Sequence, residues 1–213
     1  MNNISIVNYG VGNIFSIFNA IEKIGATPSI VNTPKDINNS DRILLPGVGA
    51  FSSGMNAIKQ LDIYDAINNH ANKGKPLLGI CLVMQMLLEE SSECDGCSGL
   101  ALLEGSVDKL SDKDIDGTQV VLPQIGWNSI DISRKTPSSD YNILSGIEQE
   151  SLFYFLHSYY VNNIDKGKTI ALTNYYSNTF TSVIQKENII GVQFHPEKSG
   201  ESGLSILRNF SHM

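Results

Sequence analysis

In the first half of the chain, short apolar runs alternate with amphipathic stretches. Residues 4–8, 29–31 and 43–45 are runs with the length and β-branched content of buried strands, and Leu77 and Leu78 begin a fourth. Between the first two, Ile14, Ile17, Phe18, Ile21 and Ile24 recur at helical spacing and form one apolar face. Gly25 follows as a C-terminal cap. Residues 51–60 and 63–71 read as two further helices. Strands alternating with helices predict a parallel sheet with helices on both faces. After residue 88 the pattern changes. Residues 91–99 read as a polar loop, and later apolar runs are short and bounded by turns: 120–122, 151–156, 159–161, 169–173, 181–185 and 189–194. No long helix separates them, which predicts antiparallel pairing. A helix over 203–210 ends the chain, with Leu204, Leu207 and Phe210 on one face. The expected fold class is α/β: a mostly parallel central sheet flanked by helices, with a smaller antiparallel extension in the second half. One domain over residues 1–213 is expected.

The other elements can be placed relative to one stretch. Residues 75–85 read K-P-L-L-G-I-C-L-V-M-Q. An apolar strand meets Gly79, then Cys81, then a helical pattern. Strand, small residue, nucleophile and helix is the order of a nucleophile elbow. Such a turn exposes one side chain at the carboxyl end of the sheet and points a helix N-terminus at it, which favours thiolate over thiol. Alone, the stretch is equally compatible with a buried structural Cys. Residues 189–200, I-I-G-V-Q-F-H-P-E-K-S-G, change that balance. A strand pattern there ends at His195, with Glu197 two residues on. A Cys, a distant His and a carboxylate near it are the parts of a thiol-based acyl-transfer site. Residues 43–51, I-L-L-P-G-V-G-A-F, run a strand into a Gly-flanked loop, a source of backbone N–H donors for an oxyanion.

These segments resemble the class I (triad) glutamine amidotransferases. Within that family the chain is similar to the glutaminase subunits of imidazole glycerol phosphate synthase. The matching segments are N-Y-G-V-G-N-I (8–14), L-P-G-V-G-A-F (45–51), G-I-C-L-V-M-Q (79–85), P-Q-I-G-W-N (123–128), F-Y-F-L-H-S-Y-Y (153–160) and G-V-Q-F-H-P-E-K-S-G (191–200). The resemblance implies that Cys81 attacks the side-chain amide of L-glutamine, that His195 handles the proton, and that Glu197 holds the imidazole. It places the oxyanion donors at Val48 and Leu82. It places substrate contacts at Gly49, Gln85, His157, Ser158 and Tyr159. It also implies a (β/α)8-barrel synthase (cyclase) subunit as partner, which receives the ammonia, with Trp127 and Asn128 on the contact surface. Trp127 is the only Trp, and Trp is common in interface hot spots; core packing is its other reading. No cofactor and no metal are expected.

Composition narrows the rest. Hydrophobic residues make up 41% and charged residues 17%, and no apolar run is long enough to span a bilayer. The first residues already read as a strand without a basic segment, so no signal peptide is expected. With three Cys and no secretion signal, a reducing, cytoplasmic location is expected. The net charge of −7, with no Lys/Arg block, argues against nucleic-acid binding. Cys94 and Cys97 form C-D-G-C, half of a zinc pattern without a second half; a surface turn is the better reading. Gly10 and Gly12 lack the third Gly of a dinucleotide fingerprint, Phe15 standing in its place. His70 and His212 read as solvated helix residues.

Three positions depart from the family pattern. Val83 stands where the elbow has Gly, Gln124 where His is usual and Tyr176 where Gly is usual. A β-branched Val adds volume where strand and helix pass closely. Two further readings stay open. One is a paralogue that supplies ammonia to another synthase, for example one amidating a surface-polysaccharide sugar. The other is a catalytically silent subunit that stabilises its partner, which the intact triad Cys81, His195 and Glu197 disfavours.

Overall fold

The computed structural model describes residues 2–132 and 141–213. The first half runs β1 (Asn3–Val7), α1 (Ile14–Lys23), β2 (Thr27–Val31), α2 (Pro34–Asn39), β3 (Ile43–Leu45), α3 (Phe51–Gln60), α4 (Tyr64–Asn72), β4 (Leu77–Ile80) and α5 (Leu82–Met86). Then come β5 (Glu90–Ser91), β6 (Cys97–Ser98), β7 (Ser106–Lys109), β8 (Gln124–Ser129), β9 (Leu152–His157), β10 (Tyr159–Asn162), β11 (Thr169–Tyr175), β12 (Asn178–Lys186) and β13 (Ile189–Val192). A single 3-10 turn, Pro196–Lys198, leads into α6 (Gly200–Ser211).

The central sheet has seven strands in the order β11-β12-β13-β4-β3-β1-β2. From β2 to β13 neighbours are parallel; β12 and β11 add on antiparallel. Period-2 alternation sorts each strand between two cores. Ile4 and Ile6 of β1 and Leu78 and Ile80 of β4 face one apolar layer, shared with Ile17, Ile21, Leu207 and Phe210 of α1 and α6. Val7, Leu77 and Leu45 face the other, with Phe51, Met55 and Ile67 of α3 and α4. Two small sheets, β10-β7-β5-β6 and β8-β9, lie beside the main one. The α/β class and its antiparallel extension are as the pattern predicts.

Several expectations need correction. Residues 120–122 do not form a strand; the strand is β8, which starts after Pro123, a residue with no N–H for a ladder. Residues 91–99 are not loop throughout, because β5 and β6 pair there as a tight hairpin. Cys94 and Cys97 are joined by a disulfide across that turn, their Cα atoms 5.6 Å apart, a spacing a bridge can span. His70 is buried, not solvated: its Nε2 lies 3.1 Å from the Pro76 carbonyl on the inner face of α4. His212 is exposed, as expected. Among the described residues, no helix is long and apolar enough to cross a membrane.

Candidate active site

Three parallel strands deliver the site from their carboxyl ends, where α/β sheets place their ligands. In β4, Leu77, Leu78 and Gly79 pair with Ile43, Leu44 and Leu45 of β3, and Leu77 to Ile80 with Ile189 to Val192 of β13. The next residue of each chain therefore emerges at one edge: the loop at 46–50, Cys81, and the segment 193–197. The Cys81 N–H donates to the Val192 carbonyl at 2.7 Å. Cys81 itself adopts φ +52° and ψ −106°, a conformation L side chains seldom take. Such strain persists where the surroundings enforce it and is expected of an elbow nucleophile. Close packing enforces it here. A Cβ on Gly79 would come 2.9 Å from Val83 Cγ1 and 3.2 Å from the Met84 nitrogen. Val83 is accommodated because glycines face both its methyls; a Cβ on Gly47 would meet Cγ2 at 2.9 Å.

The segment after β13 brings in His195 and Glu197. Imidazole Nδ1 lies 2.9 Å from Glu197 Oε1, both side chains almost fully buried. With Nδ1–H donated to the carboxylate, Nε2 is the bare acceptor, and it has no partner among the described residues. Burial alone would push the imidazolium down in pKa. Once the Cys81 proton has moved to the ring, the charged sulfur and the Glu197 carboxylate outweigh burial and push His195 up to about 10, so the transferred proton is held there. No Nε2–Sγ hydrogen bond closes in this geometry, so the Glu197 contact is the firmer cause. The Cys81 thiol instead donates to the Leu156 carbonyl at 3.6 Å. Glu197 and His195 are thus in contact at rest, with the Cys81 thiol proton turned aside.

One cavity gathers most of the residues singled out from the sequence. Val48, Gly49, Cys81, Leu82, Gln85, His157, Ser158 and Tyr159 line it together with Glu93 and Leu156. Burial, against the opposing hydrogen bond to the Tyr159 carbonyl, pushes His157 down to about 4, so the ring is neutral. Trp127 and Asn128 lie elsewhere, on β8, in a surface groove with Ile125, Tyr175 and Tyr176. Trp127 is 56% exposed, so it is not core packing. Tyr176 sits at φ +52°, a conformation that suits Gly far better than Tyr.

Three neighbours of the candidate site were not singled out from the sequence. Glu93 lies in the hairpin, where its Oε2 accepts from the Phe51 N–H at 2.9 Å and its carboxylate lines the cavity. Leu156 contributes its carbonyl, and backbone atoms carry no sequence signal. Gln193 is fully buried, with Nε2 3.6 Å from Cys81 Sγ. An uncharged Gln just before F-H-P-E was the one available hint. Tyr9 is a further neighbour: its hydroxyl donates to the Pro46 carbonyl at 2.8 Å, and burial, then the Cys81 charge, raise its pKa.

The profile of the class I glutamine amidotransferases matches residues 5–213. The chain is 41% identical over 210 residues to the imidazole glycerol phosphate synthase subunit HisH of Legionella pneumophila, covering 99% of both chains. It is 38% identical to the subunit of the same name from Bacillus velezensis (strain DSM 23117 / BGSC 10A6 / LMG 26770 / FZB42), covering 99% of this chain and 96% of that one. Among solved structures, PurLQS from Thermotoga maritima superposes with a TM-score of 0.73 at 19% identity, over 98% of this chain and 96% of that one. The acivicin-bound glutaminase domain of Trypanosoma brucei CTPS gives 0.67 at 17%, over 99% and 94%. These structural likenesses concern the fold alone.

Proposed function

The chain belongs to the class I glutamine amidotransferase family, and on that premise we propose that it is the glutaminase subunit of an imidazole glycerol phosphate synthase in histidine biosynthesis. The observation that carries this reading is identity near 40% to subunits of that name over nearly the whole of both chains.

The arrangement supports a two-step acyl transfer. The Cys81 proton passes to His195 Nε2, and sulfur attacks the amide carbon of glutamine. The C–N bond breaks as the imidazolium returns a proton to the leaving nitrogen, giving ammonia and a γ-glutamyl thioester. Water adds to the thioester and releases glutamate. Glu197 orients the ring and stabilises its charged form. The oxyanion takes the Leu82 N–H and the N–H of the Gly47–Val48 peptide; each such donor contributes on the order of 10²–10³ in rate. Gly49, Gln85 and the His157, Ser158 and Tyr159 run contact the substrate. Glu93, the carboxylate lining the cavity, suits the α-ammonium of glutamine.

Ammonia free in water at neutral pH is mostly ammonium and is not nucleophilic, so the product needs a direct route to its acceptor. A (β/α)8-barrel cyclase partner receives it, and the β8 face with Trp127 and Asn128 forms the contact surface. Residues 1–213 act as one domain, and the enzyme works in the cytoplasm. The deciding test is complementation of a histidine auxotroph that lacks its own glutaminase subunit. Growth on minimal medium is expected. Failure to grow, with soluble protein that still hydrolyses glutamine, would reassign the subunit to another synthase.

A further inference from the structure

A buried chain of hydrogen bonds reaches the Cys81 sulfur. The Tyr159 carbonyl lies 2.9 Å from His157 Nδ1 and accepts from Gln85 Nε2 at 2.8 Å. Gln85 Nε2 also donates to Gln193 Oε1 at 3.1 Å, and Gln193 Nε2 donates to Cys81 Sγ at 3.6 Å. Both Gln side chains are buried, 4% and 0% exposed. The direction of each amide follows from the first acceptor. A backbone carbonyl can only accept, so Gln85 must present its NH2 group there. That same NH2 group faces Gln193, which must answer with its carbonyl oxygen. The group left pointing at sulfur is therefore an N–H donor.

We propose that Gln193 is a catalytic residue of this site that stabilises the Cys81 thiolate, and that Gln85 is the positioning residue that keeps its N–H turned to sulfur. The inference rests on Cys81 as the nucleophile. When the thiol proton leaves Sγ for His195 Nε2, sulfur gains a negative charge and loses its bond to the Leu156 carbonyl. That carbonyl then opposes the charge, and the Gln193 N–H is a hydrogen-bond donor in contact with sulfur that favours it. A hydrogen bond to an ionised group is stronger than one between neutral groups. The donor therefore shifts the thiol–thiolate balance and is worth most after proton transfer. Register explains why the pair meets. Val192 lies opposite Ile80 across parallel strands, so the next residues, Gln193 and Cys81, leave the sheet side by side.

The test measures alkylation of Cys81 by iodoacetamide against pH in the isolated full-length chain, with mass spectrometry of the Cys81 peptide. It needs neither partner nor glutamine, so it is independent of which synthase the subunit serves. Gln193→Leu should slow alkylation at pH 7 by about tenfold, the loss expected for one hydrogen bond to a charged group, and move the profile to higher pH. Gln193→Glu, which turns an anionic oxygen to sulfur, should move it further. Gln85→Met, which does not touch sulfur, should move it in the same direction by less. Thermal melting identifies the variants that fold, and either Gln85→Met or a folded Gln193 variant suffices. Profiles that overlay the parent's would overturn the proposal. A parent whose Cys81 is inert across the whole range would instead refute Cys81 as the nucleophile.

Discussion

The two sides of Cys81 are built differently. On the β13 side, Gln193, Gln85 and the Tyr159 carbonyl form a connected set of hydrogen bonds buried from solvent. On the β3 side, among the described residues, the loop from Pro46 to Gly49 is tied by one side chain, Tyr9, at the Pro46 carbonyl. Val48 there is 39% exposed and Gly49 sits at φ +99°. The rigid side sets the state of the nucleophile before substrate arrives. The loosely held side carries a candidate oxyanion donor on a peptide flanked by glycines, which can turn over at modest cost. Control over an ammonia-producing subunit is therefore expected on the loop side, where a switch does not disturb the fold.

The largest effect tests the premise shared by both sides. Cys81→Ala should abolish glutamine-dependent synthesis by the complex while leaving synthesis from added ammonium salts intact. Glutamine-dependent turnover surviving in that variant would remove the nucleophile from the comparison altogether.

The next effect separates the two sides. The isolated subunit should be nearly idle, and its glutaminase rate should rise at least about 10²-fold when the partner and its ligand bind, as expected for gaining one oxyanion donor. Gly47→Ala should cut the stimulated rate more than the basal one. A Cβ at 47 would lie 2.8 Å from the Tyr9 hydroxyl, 2.9 Å from Val83 Cγ2 and 3.1 Å from Leu82 Cβ, so the loop or these neighbours must shift and the peptide loses room to turn. Equal rates for the isolated subunit and the ligand-loaded complex would show that the loop carries no control.

A third measurement probes the rigid side through stability. The folded chain holds His157 neutral down to about pH 4, whereas the unfolded chain protonates it near its ordinary value of 6.5. Its contribution is fully present above pH 6.5 and lost as pH falls towards 4, about 3 kcal/mol in all. His70 is lowered by burial as well and adds in the same direction. Urea midpoints at pH 7.5, 5.5 and 4.5 should fall steeply for the parent and less steeply for His157→Gln. Parallel curves would mean that the ring is not buried as a neutral group.

The smallest effect concerns the contact between the two sides. Val83 places one methyl against Gly79 of the strand and the other against Gly47 of the loop. Val83→Gly should free the loop and raise partner-stimulated glutaminase activity by a few-fold. It should also cost about 1–2 kcal/mol of stability, from lost packing and a helical Gly. Unchanged activity would mean that the loop moves independently of the elbow.

What could be read in advance depended on how local each signal was. The start of helix α2 is a local signal: Thr33 caps it, Pro34 starts it and Asp36 accepts the Thr33 hydroxyl, all within four residues. The start of β8 was missed because the apolar run at 120–122 outweighed the proline that follows it. Glu93 lay in a stretch whose polar composition suggested only a loop, and the β5–β6 hairpin that turns it towards the cavity depends on pairing. The burial of His70 was decided by the elements packed against α4, not by its own helix.

Alternation of apolar runs and helical stripes was enough to determine the sheet class, since each run is long enough for one element and its period declares which. The elbow and the His-x-Glu segment were legible as candidates, Cys81 following Gly79 and His195 standing two residues before Glu197, but neither declared its chemistry alone. Register and proximity were another matter. Whether Gln193 stands beside Cys81, whether a Leu156 carbonyl faces the thiol, and whether Tyr9 holds Pro46 depend on strand alignments between residues 37 to 112 positions apart. Such contacts are set by the packing of the whole sheet against its two cores, which acts on all strands together and leaves no mark on any one of them.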